Sequence, residues 1–127
     1  MVAGLKFLPS VIVKMTLLTL DELRAAQVGP AGLSEKQFSQ QVYDLARLLG
    51  WLVARFPTWR PTGTMPGFPD ILAVRRGRVI FAELKAENGK LTPAQRKWLL
   101  ALCQAGAEVY VWKPSSWPQI ERVLKGE

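Results

Sequence analysis

The chain contains no histidine and a single cysteine. The first absence removes Ser-His-Asp triads, Cys-His pairs, histidine zinc sites and any imidazole base together. Whatever catalysis occurs must run on carboxylates, lysine, hydroxyls and a metal bound by oxygen. Cys103 follows the apolar residues 98–102 and reads as a small buried hydrophobe. One cysteine makes no internal disulfide, so a reducing, cytoplasmic compartment is expected. No apolar run approaches the roughly 18 residues that span a bilayer. Lys6, Pro9 and Lys14 break up the apolar first twenty residues, and no small-x-small cleavage site follows. Neither a membrane anchor nor a signal peptide is therefore expected. Met15 offers an alternative start.

Acidic residues are also scarce, 10 against 17 Lys and Arg, for a net charge of +7 over 127 residues. That excess points to a polyanionic partner. It is concentrated in residues 51–100, where the acids are Asp70, Glu83 and Glu87. The cations there are Arg55, Arg60, Arg75, Arg76, Arg78, Lys85, Lys90, Arg96 and Lys97. Length and an ordinary apolar share predict one globular domain with a real core.

Thr19 and Glu22 have capping-box spacing and predict a short helix over 20–27, ended by the Gly-Pro stretch at 29–32. Ser34 is an N-cap for a longer helix, with Phe38, Val42, Leu45 and Leu49 at helical spacing and Gly50 closing it. Residues 51–56 read as a strand. A long loop over 57–69 follows, in which Trp59 either stacks on bases beside Arg60, a candidate phosphate contact, or is a half-buried residue of a structural turn. A loop of that length is usually functional. Thr92-Pro93-Ala94-Gln95 is a second capping box and starts a helix to about Ala105. Residues 107–112 form a strand expected to pair parallel to the one carrying Glu83. Ser116 opens a last helix through Leu124. The order is α-β-β-β-α-β-α, an α/β sandwich.

Two apolar runs, 70–75 and 78–83, are separated only by Arg76-Gly77. Folded as a hairpin with a two-residue loop, they set Asp70 directly opposite Glu83, with Cβ atoms about 5 Å apart. Lys85 falls on the same face. Both faces of the hairpin are apolar, which predicts strands in the middle of a helix-covered sheet. Facing carboxylates in a central sheet repel unless a cation lies between them. Mg²⁺ takes one or two carboxylates and keeps water or phosphate for its other positions. The backbone carbonyl of Leu84 is placed to complete the set, and Lys85 to orient water or offset charge. Otherwise the three form a salt-bridged rim.

A third acid is open between Glu35, favoured in a first helical turn by the dipole alone, and Asp44. Gln95 either caps its helix or reaches a phosphate or a metal-bound water. Trp98 reads as core. Arg55, Arg60, Arg76, Arg78 and Lys90 are candidates for phosphate contacts.

Pro69-Asp70 followed by Glu83-Leu84-Lys85 resembles the PD-(D/E)xK nuclease pattern. The surrounding text is closer to one branch of it, the VRR-NUC (virus-type replication-repair nuclease) domain. The likeness rests on Ser34-Glu35, Leu45-Ala46, Leu49-Gly50-Trp51, Gly67-Phe68-Pro69-Asp70 and Phe81-Ala82-Glu83-Leu84-Lys85. It continues through Gly89-Lys90-Leu91-Thr92, Gln95-x-x-Trp98 and 105–109. It leaves an N-terminal extension, 1–32, and a nuclease-like domain, 33–127.

The resemblance implies a restriction-endonuclease-like mixed sheet flanked by helices. It implies a Mg²⁺- or Mn²⁺-dependent, structure-selective DNA endonuclease of a bacterium or of a phage-infected cell. Small stand-alone members look like homodimers that cut four-way (Holliday-type) junctions; relatives in larger chains act on flaps. By the family pattern Glu35 joins Asp70, Glu83 and Lys85 as catalytic, with Gln95 accessory. A basic DNA-binding module with structural carboxylates, or a flap- or end-directed nuclease, is the alternative.

Overall fold

The computed structural model describes residues 5–6, 33–56 and 65–127. The short helix expected over 20–27, the 29–32 linker, Trp59 and Arg60 lie outside the described residues. In chain order the elements are β1 (Leu5–Lys6), α1 (Glu35–Leu48), β2 (Leu52–Arg55), β3 (Ile71–Arg75), β4 (Arg78–Leu84), α2 (Pro93–Gln104), β5 (Glu108–Trp112) and α3 (Trp117–Lys125). The expected order of four strands and three helices is therefore observed. The two-residue β1 is an addition, pairing parallel with β5 and making the sheet order β1-β5-β4-β3-β2.

β3 and β4 form the expected antiparallel hairpin, with Ile71 opposite Ala82 and Arg75 opposite Arg78. One step outward, the same register sets Asp70 opposite Glu83. Arg76 and Gly77 turn the hairpin with φ of 50° and 77°. Positive φ at both positions makes the turn twist with the strands and holds the register. β5 pairs parallel with β4, Glu83 beside Val111.

One face of the hairpin, carrying Ile71, Ala73, Ile80 and Ala82, is fully buried. It packs with Phe38, Val42 and Ala46 of α1 and Ile120 and Leu124 of α3. The opposite face is less covered than its apolar pattern predicts. Val79 is exposed, and Leu72, Val74 and Phe81 are only half-buried. α2 lies mainly over β5 and β1. No described helix is long and apolar enough to cross a membrane.

Both site-bearing helices start as expected from their caps. Ser34 Oγ accepts from the Gln37 N–H and the Gln37 side chain accepts from the Ser34 N–H. Thr92 and Gln95 exchange the same pair of bonds on α2. Each exchange satisfies backbone donors that a first helical turn leaves unpaired.

Candidate active site

Asp70 ends the loop before β3 and Glu83 sits near the end of β4, at one end of the sheet. Both are removed from solvent, Asp70 being 2% and Glu83 0% exposed. Asp70 is held at backbone and side chain. Its carbonyl accepts from the Phe56 N–H (2.7 Å), and its Oδ2 accepts from the Leu84 N–H (2.8 Å). Glu83 Oε2 accepts from Gln95 Nε2 at 3.1 Å. The Gln95 oxygen at the same time accepts from the Thr92 N–H at 2.9 Å. The cap expected of Gln95 is observed, and the same amide has a partner the sequence did not indicate: its oxygen caps α2 while its nitrogen holds Glu83.

The loop reaching Asp70 is pinned from both sides. Phe68 meets Phe56, Trp98 and Phe81 edge-on, with centroids 5.1, 5.0 and 6.2 Å away. Trp98 therefore packs against this loop, half-buried rather than within the core its sequence reading predicts. Gly67 has φ +87°, and a Cβ there would fall 2.4 Å from the Ala94 carbonyl carbon and 2.7 Å from the Gln95 nitrogen. Only glycine lets the loop approach the start of α2 so closely. Gly67 and Phe68 belong to the family-like pattern, but nothing in the sequence assigns them a role. A glycine two residues before Pro-Asp was the available signal.

Asp70 Oδ1 and Glu83 Oε1 are buried with no hydrogen-bond partner. Buried carboxylate oxygens in that condition are costly unless something positive meets them. Burial raises the Asp70 carboxyl to about 6, against the lowering effects of the neighbouring Glu83 carboxyl as a hydrogen-bond partner, the bond from Leu84 and the Lys85 charge. Glu83 is raised further, by burial first and then by repulsion from Asp70. Among the described residues no three His, Cys, Asp or Glu side chains gather into a complete metal cage. Two carboxylates with spare oxygens nevertheless fit a hard divalent ion that keeps water for its remaining positions.

Lys85 is buried, and its Nζ lies 4.0 Å from Glu35 Oε1, on the first residue of α1. Glu35 is thus brought to the site, facing the lysine. Asp44, the competing acid, accepts from Gln40 on the exposed side of α1.

The candidate phosphate contacts are not gathered in the same way. Arg55 donates to Gln40 Oε1 (3.2 Å) and lies 4.4 Å over the Tyr43 ring. Arg76 is exposed in the hairpin turn, at the opposite end of the strands from Asp70. Arg78 is ion-paired with Glu108 through two bonds, and Glu108 also accepts from the Tyr110 hydroxyl. Lys90 is exposed in the loop after Lys85.

The family model of the VRR-NUC domain matches residues 52–115, half of the chain and every site residue above except Glu35. The chain belongs to the VRR-NUC family. A solved structure described as a VRR_NUC domain is similar at 26% identity, with a TM-score of 0.58, covering 72% of this chain and 95% of that one. A second, described as a VRR_NUC domain protein, shares the fold at 21% identity and a TM-score of 0.54, covering 72% and 90%. No match is found among the curated proteins. Membership in VRR-NUC implies a nuclease of the PD-(D/E)xK type, with DNA as substrate and divalent metal as the family's usual cofactor. In this VRR-NUC chain the motif residues Asp70, Glu83 and Lys85 share one buried end of the sheet.

Proposed function

We propose that this VRR-NUC chain is a Mg²⁺- or Mn²⁺-dependent, structure-selective DNA endonuclease acting on branched DNA, four-way junctions foremost. The observation that carries the metal chemistry is the pair of buried, unpartnered oxygens on Asp70 and Glu83. Those two carboxylates, with the Leu84 carbonyl, would hold the ion, and Glu35 stands at the rim beside Lys85. A bound divalent ion supplies a Lewis acid for a phosphoryl oxygen and a water of lowered pKa.

The chain's own residues do the rest. Gln95 keeps Glu83 turned inward, and the Leu84 N–H keeps Asp70 from rotating away. Lys85 offers a compact positive charge where negative charge develops on phosphorus. Glu35 holds that lysine toward the carboxylates. A four-way junction is cut on two strands, and a symmetric homodimer would present two such sites to it.

Labelled four-way, flap and linear DNA, incubated with the protein in Mg²⁺, Mn²⁺ or EDTA, tests the reading. Metal-dependent nicking, strongest on the junction and lost in Asp70→Asn, is expected, along with a dimer mass in solution. Full cleavage by Asp70→Asn, or none by the wild type with either metal, would sink it.

A further inference from the structure

Among the described residues, the cations at the two ends of the β3–β4 hairpin differ in what they already touch. At the hairpin-turn end, Arg75 donates to the carbonyls of Leu49 (2.9 Å) and Leu124 (3.1 Å) and lies 5.1 Å over the Trp51 ring. Arg78 pairs with Glu108 and donates to the Val123 carbonyl at 3.3 Å. These arginines fasten carbonyls at the ends of α1 and α3, where a helix leaves acceptors to be satisfied from outside. Their charge is engaged in the fold.

The other end of the sheet is different. Lys36, Lys90, Arg96 and Lys97 are exposed there and, among the described residues, carry no ion pair or hydrogen bond through their side chains. Lys36 adjoins Glu35, which faces Lys85. Arg96 and Lys97 directly follow Gln95, whose amide holds Glu83. The exposed stripe of α2 continues as Leu100, Ala101 and Gln104, and its last turn holds no base. The positive charge of α2 is therefore gathered near its start, the end nearer the carboxylates.

A helix dipole disfavours cations near the start of the helix. Folding alone gives no reason for this placement, whereas a polyanion crossing that end does. The buried, unpartnered oxygens of Asp70 and Glu83 mark the same end as a binding site.

We infer that duplex DNA lies across the starts of α1 and α2, with Lys36 contacting phosphates on one side of the carboxylates and Lys90, Arg96 and Lys97 on the other. Arg75 and Arg78, engaged in the fold, and Arg76, exposed at the far end of the strands, stay off the DNA. This path rests on the nuclease reading and adds its direction over the molecule.

Binding of the full chain to a labelled duplex and a four-way junction, measured across a NaCl series in EDTA, tests the path. Each phosphate contact contributes about 0.9 to the slope of log affinity against log salt. Arg96→Gln with Lys97→Gln is expected to lower the slope by about two, and Lys36→Gln or Lys90→Gln by about one each. Arg76→Asn is expected to keep the wild-type slope, and thermal stabilisation by Mg²⁺ should persist in all these variants. A wild type that binds with this pattern but does not cut supports the path and removes the nuclease reading alone. Unchanged slopes in the double variant, a loss in Arg76→Asn as large as in the double variant, or no DNA binding by the wild type overturns the path.

Discussion

The amide nitrogen of Gln95 lies 3.1 Å from Glu83 Oε2, while its oxygen, 2.9 Å from the Thr92 nitrogen, closes the cap of α2. The helix start and the carboxylate are thus fixed by one planar group. A rotation that loosens one loosens the other.

Replacing Gln95 by Glu separates the two roles. Glu retains an oxygen for the cap but has no donor, and it sets a second negative charge against Glu83. Metal-dependent cleavage should fall at least about ten-fold, equivalent to ~1.4 kcal/mol of transition-state stabilisation. Gln95→Ala should in addition lose about 1 kcal/mol of folding stability from the cap. Cleavage rates and denaturant melts on both variants check this. Wild-type kcat/KM in Gln95→Glu would contradict it.

The raised carboxyls tie stability to pH and to metal. Asp70 is raised to about 6 in the folded chain, with Glu83 above it. A group raised above its unfolded value contributes stability that is fully present below that unfolded value, roughly pH 4 for a carboxyl. It is lost as pH rises through the folded one. Metal-free protein should therefore melt lower at pH 8 than at pH 5, and Mg²⁺ should restore more at pH 8. Glu83→Gln should flatten this dependence and raise the metal-free Tm while abolishing cleavage. Thermal melts in EDTA and in Mg²⁺ at both pH values measure it, and a metal-free Tm that climbs from pH 5 to pH 8 would count against it.

Gly67 is predicted to be intolerant of any side chain. Alanine there meets the Ala94 backbone at 2.4 Å and is strained at φ +87°. A loss of about 2–4 kcal/mol is expected in urea unfolding of Gly67→Ala. Near-native stability would mean that the loop and α2 can separate.

Arg76 is a non-glycine residue held at φ 50°. Asparagine adopts that conformation more readily. Arg76→Asn should stabilise by roughly 0.5–1 kcal/mol, raising Tm by about 2–5 °C. Differential scanning calorimetry reads this directly, and an unchanged or lower Tm would show that the turn carries no strain.

Much of this architecture is written locally in the chain. Alternating apolar runs with a two-residue gap leave few hairpin registers, because a one-residue slip would turn the whole buried face outward. Ser34 and Thr92 announced their helices because a cap is made within four residues. β1 could not be read, since two residues carry no periodicity.

What the sequence determined alone was the facing of Asp70 and Glu83, the absence of any imidazole chemistry and the excess of positive charge. Only the tertiary structure decided which cations remain available. Arg78 looks like a phosphate ligand until a parallel crossover delivers Glu108, thirty residues on, to neutralise it. It also decided that Gln95 serves two partners, because the distance from α2 to β4 depends on Gly67 and Phe68 lying between them. Pairing within a hairpin follows from adjacent residues. The identity of a charge's partner depends on how distant segments pack.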